Sequence, residues 1–115
     1  MRQKIQLALS NSGYREALRS SLVGDRAFRD CEVEPVWTPE PSKADVLVVD
    51  SAAFDRLATP LLHPERIVLI TQHNPKHLTR AWNAGIVSVI GDHEPVSTAM
   101  LAILAARYRA CKCVA

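Results

Sequence analysis

Residues 46–55 read VLVVDSAAFD, an apolar run of four residues that ends in an aspartate. A short apolar run without alternating polar side chains is typical of a strand buried on both faces of a parallel sheet. Helical spacing follows it, at Phe54, Leu57, Ala58, Leu61 and Leu62. Pro60 should end or kink that helix early. The stretch therefore predicts a buried strand, an acid at its carboxyl end, and a short helix.

The rest of the chain alternates between strand and helix patterns in the same way. Strand patterns occupy residues 5–10, 31–37, 66–71 and 86–90, and helical patterns occupy residues 14–22, 75–85 and 95–111. Ser12 or Asn11 can cap the first helix, and Pro35 inside the second strand favours a sheet edge. Only residues 38–45 separate the second and third strands, so the second helix is short or missing. This alternation predicts an α/β, flavodoxin-like, doubly wound sheet of five parallel strands in the order 2-1-3-4-5.

Length and composition describe one ordinary domain spanning residues 1–115, with 48% hydrophobic and 23% charged residues. A formal charge of +2 is too small to indicate binding to nucleic acid or membranes. No apolar run reaches the roughly 18 residues of a membrane span, and the first apolar run is too short for a signal peptide. We therefore expect a cytoplasmic protein.

Few residues carry catalytic or metal-binding chemistry. The cysteines Cys31, Cys111 and Cys113 are odd in number. A zinc site at the last two with a histidine is an alternative, but thiols without a metal are the favoured interpretation. His73 and His77 have a proline between them and are expected on the surface. The sequence shows no nucleophile–base pair, glycine-rich phosphate loop or metal cluster, so an enzyme is not expected.

Ligands of an open parallel sheet bind at the carboxyl ends of its strands. In this sequence those ends carry Ser10, Asn11, Asp50, Ser51, Thr71, Gln72, Gly91, Asp92 and His93. A functional site is therefore expected at this edge of the sheet.

The acid that ends the third strand, the threonine that ends the fourth, and AWNAGIVSVI at residues 81–90 resemble the receiver domain of bacterial response regulators. The resemblance covers almost the whole domain. It implies that Asp50 matches the aspartate that accepts a phosphoryl group. It also implies that Thr71 matches the hydroxyl residue that turns towards that group, although an ordinary hydroxyl at a strand end is the favoured interpretation of Thr71.

Other matched positions depart from the receiver pattern. The acid pair expected after the first strand is Ser10 and Asn11. The lysine expected after the fifth strand falls on Asp92 by direct count, or on Glu94 if two residues are inserted. The aromatic residue expected within the fifth strand is Val89.

These departures weaken the receiver chemistry. Magnesium prefers several oxygen ligands, usually with more than one carboxylate, so we expect weak magnesium affinity and no cofactor. A transferring phosphoryl group is stabilised by positioned cations. An acid about 4 Å from Asp50 costs on the order of 4 kcal/mol at an effective dielectric constant near 20. That energy is enough to oppose acyl-phosphate formation or to raise the pKa of one carboxylate.

Three interpretations of Asp50 stay open. Its carboxylate can hold the loop through hydrogen bonds to backbone amides or Asn11, which is favoured; it can accept a phosphoryl group; or it can contact another ligand. The first favours an atypical pseudo-receiver that acts without conventional phosphorylation. The second favours a working receiver. The third favours a small-molecule binder or flavodoxin-like enzyme that uses Asn11, Asp50 and Thr71.

The last helix carries two apolar stripes. Val96, Met100 and Ile103 are sufficient to cover the sheet, so Leu101, Leu104 and Tyr108 should face water. Exposed apolar stripes often mark partner surfaces. Receivers commonly dimerise through this part of the fold, so the resemblance also implies a homodimer.

The resemblance further implies a role in transcription regulation. Receivers often continue into a helix-turn-helix DNA-binding domain, which is not in this chain. Arg107, Arg109 and Lys112 form a small basic end on the last helix. These charges suit a helix carboxyl terminus, so we expect no direct contact with nucleic acid by this domain.

Overall fold

The computed structural model describes residues 3–57, 61–72 and 75–114, with the backbone alone for residues 111–114. The strands are β1 Gln3–Ala8, β2 Cys31–Pro35, β3 Val46–Asp50, β4 Ile67–Thr71 and β5 Ser88–Gly91. The helices are α1 Ser12–Gly24, α2 Ser51–Asp55, α3 Pro75–Asn83 and α4 Val96–Val114. Short 3-10 turns lie at Arg26–Phe28, Pro41–Lys43 and Pro64–Arg66.

The five strands form one parallel sheet in the order β2-β1-β3-β4-β5, which confirms the predicted flavodoxin-like architecture. The register places Asp50 beside Ile70 and Thr71 beside Gly91. Because all strands run the same way, their carboxyl ends meet at one edge. β2 is an outer strand, as Pro35 predicts.

Helices cover both faces of the sheet. On one face, Leu18 and Leu22 of α1 and Ile103 of α4 pack with Val46 and Val48. The other face packs against α2 and α3, and its core residues include Leu47, Val49, Phe54, Leu69 and Ala81. The four apolar residues of β3 alternate between the two faces and are at most 2% exposed. Burial on both faces explains why this strand has no polar alternation.

The helix that the receiver pattern has between β2 and β3 is replaced by one 3-10 turn, as predicted. The segment after β2 is instead held by hydrogen bonds to β1. The Glu40 N–H donates to Gln6 Oε1 at 2.9 Å, and Gln6 is only 1% exposed. Lys4 and Asp45 exchange two further bonds, each at 2.8 Å. These contacts satisfy polar groups that the missing helix would otherwise cover.

Two helices follow their predicted patterns in part. α2 is short, as predicted, and ends at Asp55, where the N–H of Arg56 bonds to the carbonyls of Ala53 and Phe54. The helix therefore ends before the predicted stop, and Ala58 and Pro60 lie outside the described residues. Further along the same stretch, Leu61 is half-buried and Leu62 is exposed.

In α3, helical spacing predicts one face with Leu78, Ala81, Trp82 and Gly85, and this face is buried only in part. Ala81 is fully buried, but Leu78 is 36% exposed and Trp82 is 79% exposed. Ala81 is the residue of this face that packs into the core, and Leu78 and Trp82 lie towards solvent.

Within the described ranges, none of the helices combines the length and hydropathy that a membrane crossing demands.

Candidate functional site

A cavity of about 320 Å³ opens at the carboxyl ends of the central strands. It is lined by Leu9, Ser10, Asn11, Tyr14, Asp50, Ser51, Ala52, Ile70, Thr71, Gln72, His77 and Asp92. All five residues that the sequence placed at a degenerate phospho-acceptor pocket are in this lining: Ser10, Asn11, Asp50, Thr71 and Asp92. The parallel strand ends, together with the first turns of α1, α2 and α3, form its walls.

Asp50 is hydrogen-bonded through both carboxylate oxygens. Oδ2 accepts from the Ser10 N–H at 2.8 Å and also from the Ser10 hydroxyl. Oδ1 accepts from the Ala53 N–H at 2.9 Å and so caps α2. The carboxylate thus ties the end of β1 to the start of α2. This geometry resembles the favoured interpretation of a loop-holding acid, with Ser10 as the partner instead of Asn11.

The electrostatic balance at Asp50 favours the ionised form. Burial raises the pKa of Asp50. The Ser10 hydroxyl, the Ala53 and Ser10 N–H groups, and the Arg56 charge lower it, and together they outweigh the burial. The pKa of Asp50 therefore lies below its usual value. A raised pKa, one of the two consequences expected of an acidic neighbour, is therefore not the outcome at Asp50. Hydrogen bonds to the charged form outweigh the burial.

Asn11 caps the first helix, one of the two caps that the sequence offers, and does not bond to Asp50. Its Oδ1 accepts from the Tyr14 N–H at 3.0 Å, so Asn11 is the amino-terminal cap of α1. Tyr14 itself lines the cavity. Its hydroxyl is buried and has no hydrogen-bond partner among the described residues. Burial first, and then the charge of Glu94, raise the pKa of Tyr14, so this hydroxyl stays protonated.

The structure adds a cluster of two hydroxyls and an imidazole. Thr71, only 4% exposed, places Oγ1 2.5 Å from Ser51 Oγ. His77 Nδ1 lies 3.4 Å from both oxygens. The sequence placed His77 on the open surface, and this expectation needs correction, because the residue is half-buried beside the two hydroxyls. The missed signal is that His77 lies in the first turn of the helix after β4, which starts at the ligand-binding edge.

Asp92 lies where direct counting put the missing lysine. Its N–H donates to the Thr71 carbonyl at 3.0 Å, and its side chain lines the cavity with His93 Nδ1 3.7 Å away. Glu94, the position that the lysine takes if two residues are inserted, is not among the lining residues, but its charge raises the pKa of Tyr14. Val89, at the aromatic position of the receiver pattern, is half-buried in the α2–α3 side of the core.

The predicted partner stripe on α4 is exposed. Leu101 is 69% exposed, Leu104 38% and Tyr108 66%. On the same helix, Ile103 is fully buried and Met100 is half-buried against the core. The helix therefore has one face on the sheet and an apolar face in solvent, as its sequence predicts.

Among the described residues, no group of three or more histidine, cysteine or acidic side chains is arranged to hold a metal ion. Cys31 is half-buried in β2. The zinc alternative at Cys111 and Cys113 falls on side chains outside those described, and so does His73.

No protein-family model and no curated protein matches the sequence. Solved structures do match. NtrX from Brucella abortus, in complex with ADP, has a TM-score of 0.69 and 16% identity, over 97% of this chain and 28% of NtrX. A protein of Sinorhizobium meliloti 1021 assigned to pilus assembly, CpaE2, has a TM-score of 0.65 and 12% identity, over 90% of this chain and 98% of CpaE2. A response regulator protein from Burkholderia multivorans has a TM-score of 0.57 and 18% identity, over 95% of this chain and 96% of that protein.

This chain has a receiver-like fold. The match extends over nearly its full length, and the sheet order agrees with it. At identities of 12–18% the likeness concerns the fold alone. In this receiver-like domain, Asp50 ends the third strand and Thr71 the fourth, and both line the cavity at the strand ends.

Proposed function

We propose that this receiver-like domain is a pseudo-receiver, a signalling domain and not an enzyme, which acts through protein contacts without conventional phosphorylation of Asp50. One observation carries the proposal. Ser10 donates two hydrogen bonds to a single oxygen of Asp50, at the position where the receiver pattern has an acid. An acid there would repel Asp50, whereas Ser10 binds it.

These hydrogen bonds oppose phosphoryl acceptance. To form an acyl phosphate, an oxygen of Asp50 must attack phosphorus, and hydrogen bonds to that oxygen reduce its electron density. Oδ2 has two donors from Ser10, and Oδ1 has the Ala53 N–H. An acyl phosphate also places three oxygens that share negative charge in the cavity. Asp92 lines this cavity at the position where the receiver pattern has a stabilising lysine.

The same residues fit magnesium poorly. A magnesium ion prefers octahedral oxygen ligands and binds through carboxylates. At the positions that match the receiver's acid pair, Ser10 directs its hydroxyl hydrogen to Asp50, and Asn11 caps α1. Neither residue adds negative charge. This donor set supports a domain that works without the ion.

Protein contact is the route by which the domain passes on its signal in this proposal. The stripe of Leu101, Leu104 and Tyr108 supports a homodimer formed through α4, because it presents apolar side chains to water on a well-packed helix. In this proposal the domain is the sensory part of a transcription regulator. A helix-turn-helix domain outside these residues then binds DNA.

Intact-mass measurement after incubation with acetyl phosphate and magnesium tests the proposal. We expect no phosphoryl group on the wild type. The variant Ser10→Asp/Asn11→Asp/Asp92→Lys, which restores the receiver's acids and lysine, is the matched control and should gain one. A phosphoryl group on the wild type that Asp50→Asn abolishes would mean that the domain is a working receiver.

A further inference from the structure

We propose that the cavity at the strand ends binds a small organic cation, of the primary-amine class. The inference rests on the proposed function, because it supplies the input that phosphorylation no longer provides. The negative charge of the cavity, which opposes a phosphoryl group, favours a positively charged ligand.

The size and walls of the cavity suit a small organic molecule. Its volume of about 320 Å³ lies at the lower end of the range of ligand sites, about 300–1,000 Å³. Leu9, Ala52 and Ile70 provide apolar wall, and polar side chains converge from three strand ends and the β5–α4 loop. Ligand sites usually combine apolar wall with convergent polar groups, and in this cavity the polar groups are the more numerous.

The charged groups of the wall are acidic. Among the lining residues that the structure describes, Asp50 and Asp92 are carboxylates and none is lysine or arginine. A carboxylate has acceptor capacity for about four hydrogen bonds. Asp50 accepts three from Ser10 and Ala53, so it can accept one more. Asp92 has a side chain that is 48% exposed and can turn towards a ligand.

Neutral acceptors stand beside these acids. The oxygens of Ser51 and Thr71 share one hydrogen between them, 2.5 Å apart, and so retain lone pairs. The His77 ring lies 3.4 Å from both. An ammonium group has three donors, which carboxylate and hydroxyl oxygens can accept together.

Three probes of similar size and different charge test the inference: n-butylamine, n-butanol and butyrate. Each is titrated into the full chain, and the amide signals of Ser10, Ala53 and Thr71 are followed by nuclear magnetic resonance. We expect saturable shifts with n-butylamine, and no saturable shifts with the other two. A wild type that responds equally to butyrate, or that shows no saturable response to the amine, overturns the inference.

A charge-matched pair of variants locates the site. Asp92→Asn removes a half-exposed lining carboxylate and keeps the backbone bond to Thr71, and it should weaken amine binding by about threefold, as expected for a partly exposed ion pair. Glu32→Gln removes an exposed acid on the outer strand β2 and should leave binding unchanged. Equal weakening in both variants would show non-specific attraction and contradict the site.

The two proposals fail in different ways. Phosphorylation of wild-type Asp50 by acetyl phosphate removes the pseudo-receiver and with it the reason for a replacement input. An unphosphorylated chain without saturable amine binding removes the ligand inference and leaves the pseudo-receiver in place.

Discussion

At the scale of single residues, Asp50 is the centre of the site and also part of the scaffold. It joins β1 to α2 through Ser10 and Ala53, so its charge stabilises the native loop. The pKa of Asp50 is lowered in the folded protein because these donors and Arg56 outweigh burial. A lowered pKa means that the folded state binds this proton less tightly than the unfolded chain does.

The first prediction is that Asp50 contributes to stability and that this contribution is lost at acid pH. Its contribution should be fully present above the ordinary aspartate pKa of about 3.9 and should disappear as the pH falls through the lowered folded-state value. The free energies of unfolding of wild type and Asp50→Asn, measured by urea titration, should therefore converge at acid pH. A second variant, Ser10→Ala, removes a donor and should move this acid transition to higher pH. A difference that stays constant with pH would contradict the role of the charge.

At the scale of elements, Gly85 ends α3 by adopting a left-handed backbone, with φ at 87°. Its N–H bonds to the Trp82 carbonyl and the Ile86 N–H bonds to the Ala81 carbonyl, each at 3.0 Å. This pair of bonds is a Schellman motif, which satisfies the last carbonyls of a helix and turns the chain. The turn leads the chain from α3 to β5.

The second prediction is that Gly85→Ala destabilises the protein by about 1–2 kcal/mol. An alanine at positive φ is strained, and its Cβ would lie 3.2 Å from Pro64 Cγ. Gly24→Ala is the matched control, because a Cβ at Gly24 meets nothing within 4 Å. Denaturant titration should show a clear loss for the first variant and little change for the second. Equal losses would argue against strain at Gly85.

At the scale of the whole molecule, α4 packs one face against the core of the domain and carries the proposed partner surface on the other. Ile103, Ala106 and Ala110 are at most 1% exposed, while Leu101 and Tyr108 are more than 60% exposed. Arg107 fastens the helix to the rest of the fold by donating to Gln3, Ala27 and Asp30. An anchored helix offers its exposed apolar stripe as a rigid surface.

The third prediction concerns the size of the particle in solution. Light scattering of the wild type should give a dimer, and Leu104→Glu should give a monomer, because a charge in the stripe must be desolvated on association. Val23→Glu places the same charge on α1, at a side chain that is 62% exposed, and should remain dimeric. A wild-type monomer, or no change in Leu104→Glu, would contradict the proposed interface.

The sequence by itself determined the α/β alternation, the strand order and the gathering of polar side chains at one edge of the sheet. An apolar run such as residues 46–49 has one stable location, buried on both faces, and short parallel strands then require helical connections. The five residues assigned to the pocket were found because parallel strands end at one edge. The exposed stripe on α4 was found because helical periodicity gives each residue a direction.

The tertiary structure alone decided which of these polar groups bond to one another. Ser10 and not Asn11 holds Asp50, and His77 joins Ser51 and Thr71, because contacts across 40 or 26 residues depend on packing and not on local pattern. The exposure of Trp82 likewise depends on how α3 packs on the core, where Ala81 is buried and Trp82 is not, and helical spacing does not record this. The sign of the pKa shift at Asp50 was hidden for the same reason: it is the balance of burial against donors brought from distant parts of the chain.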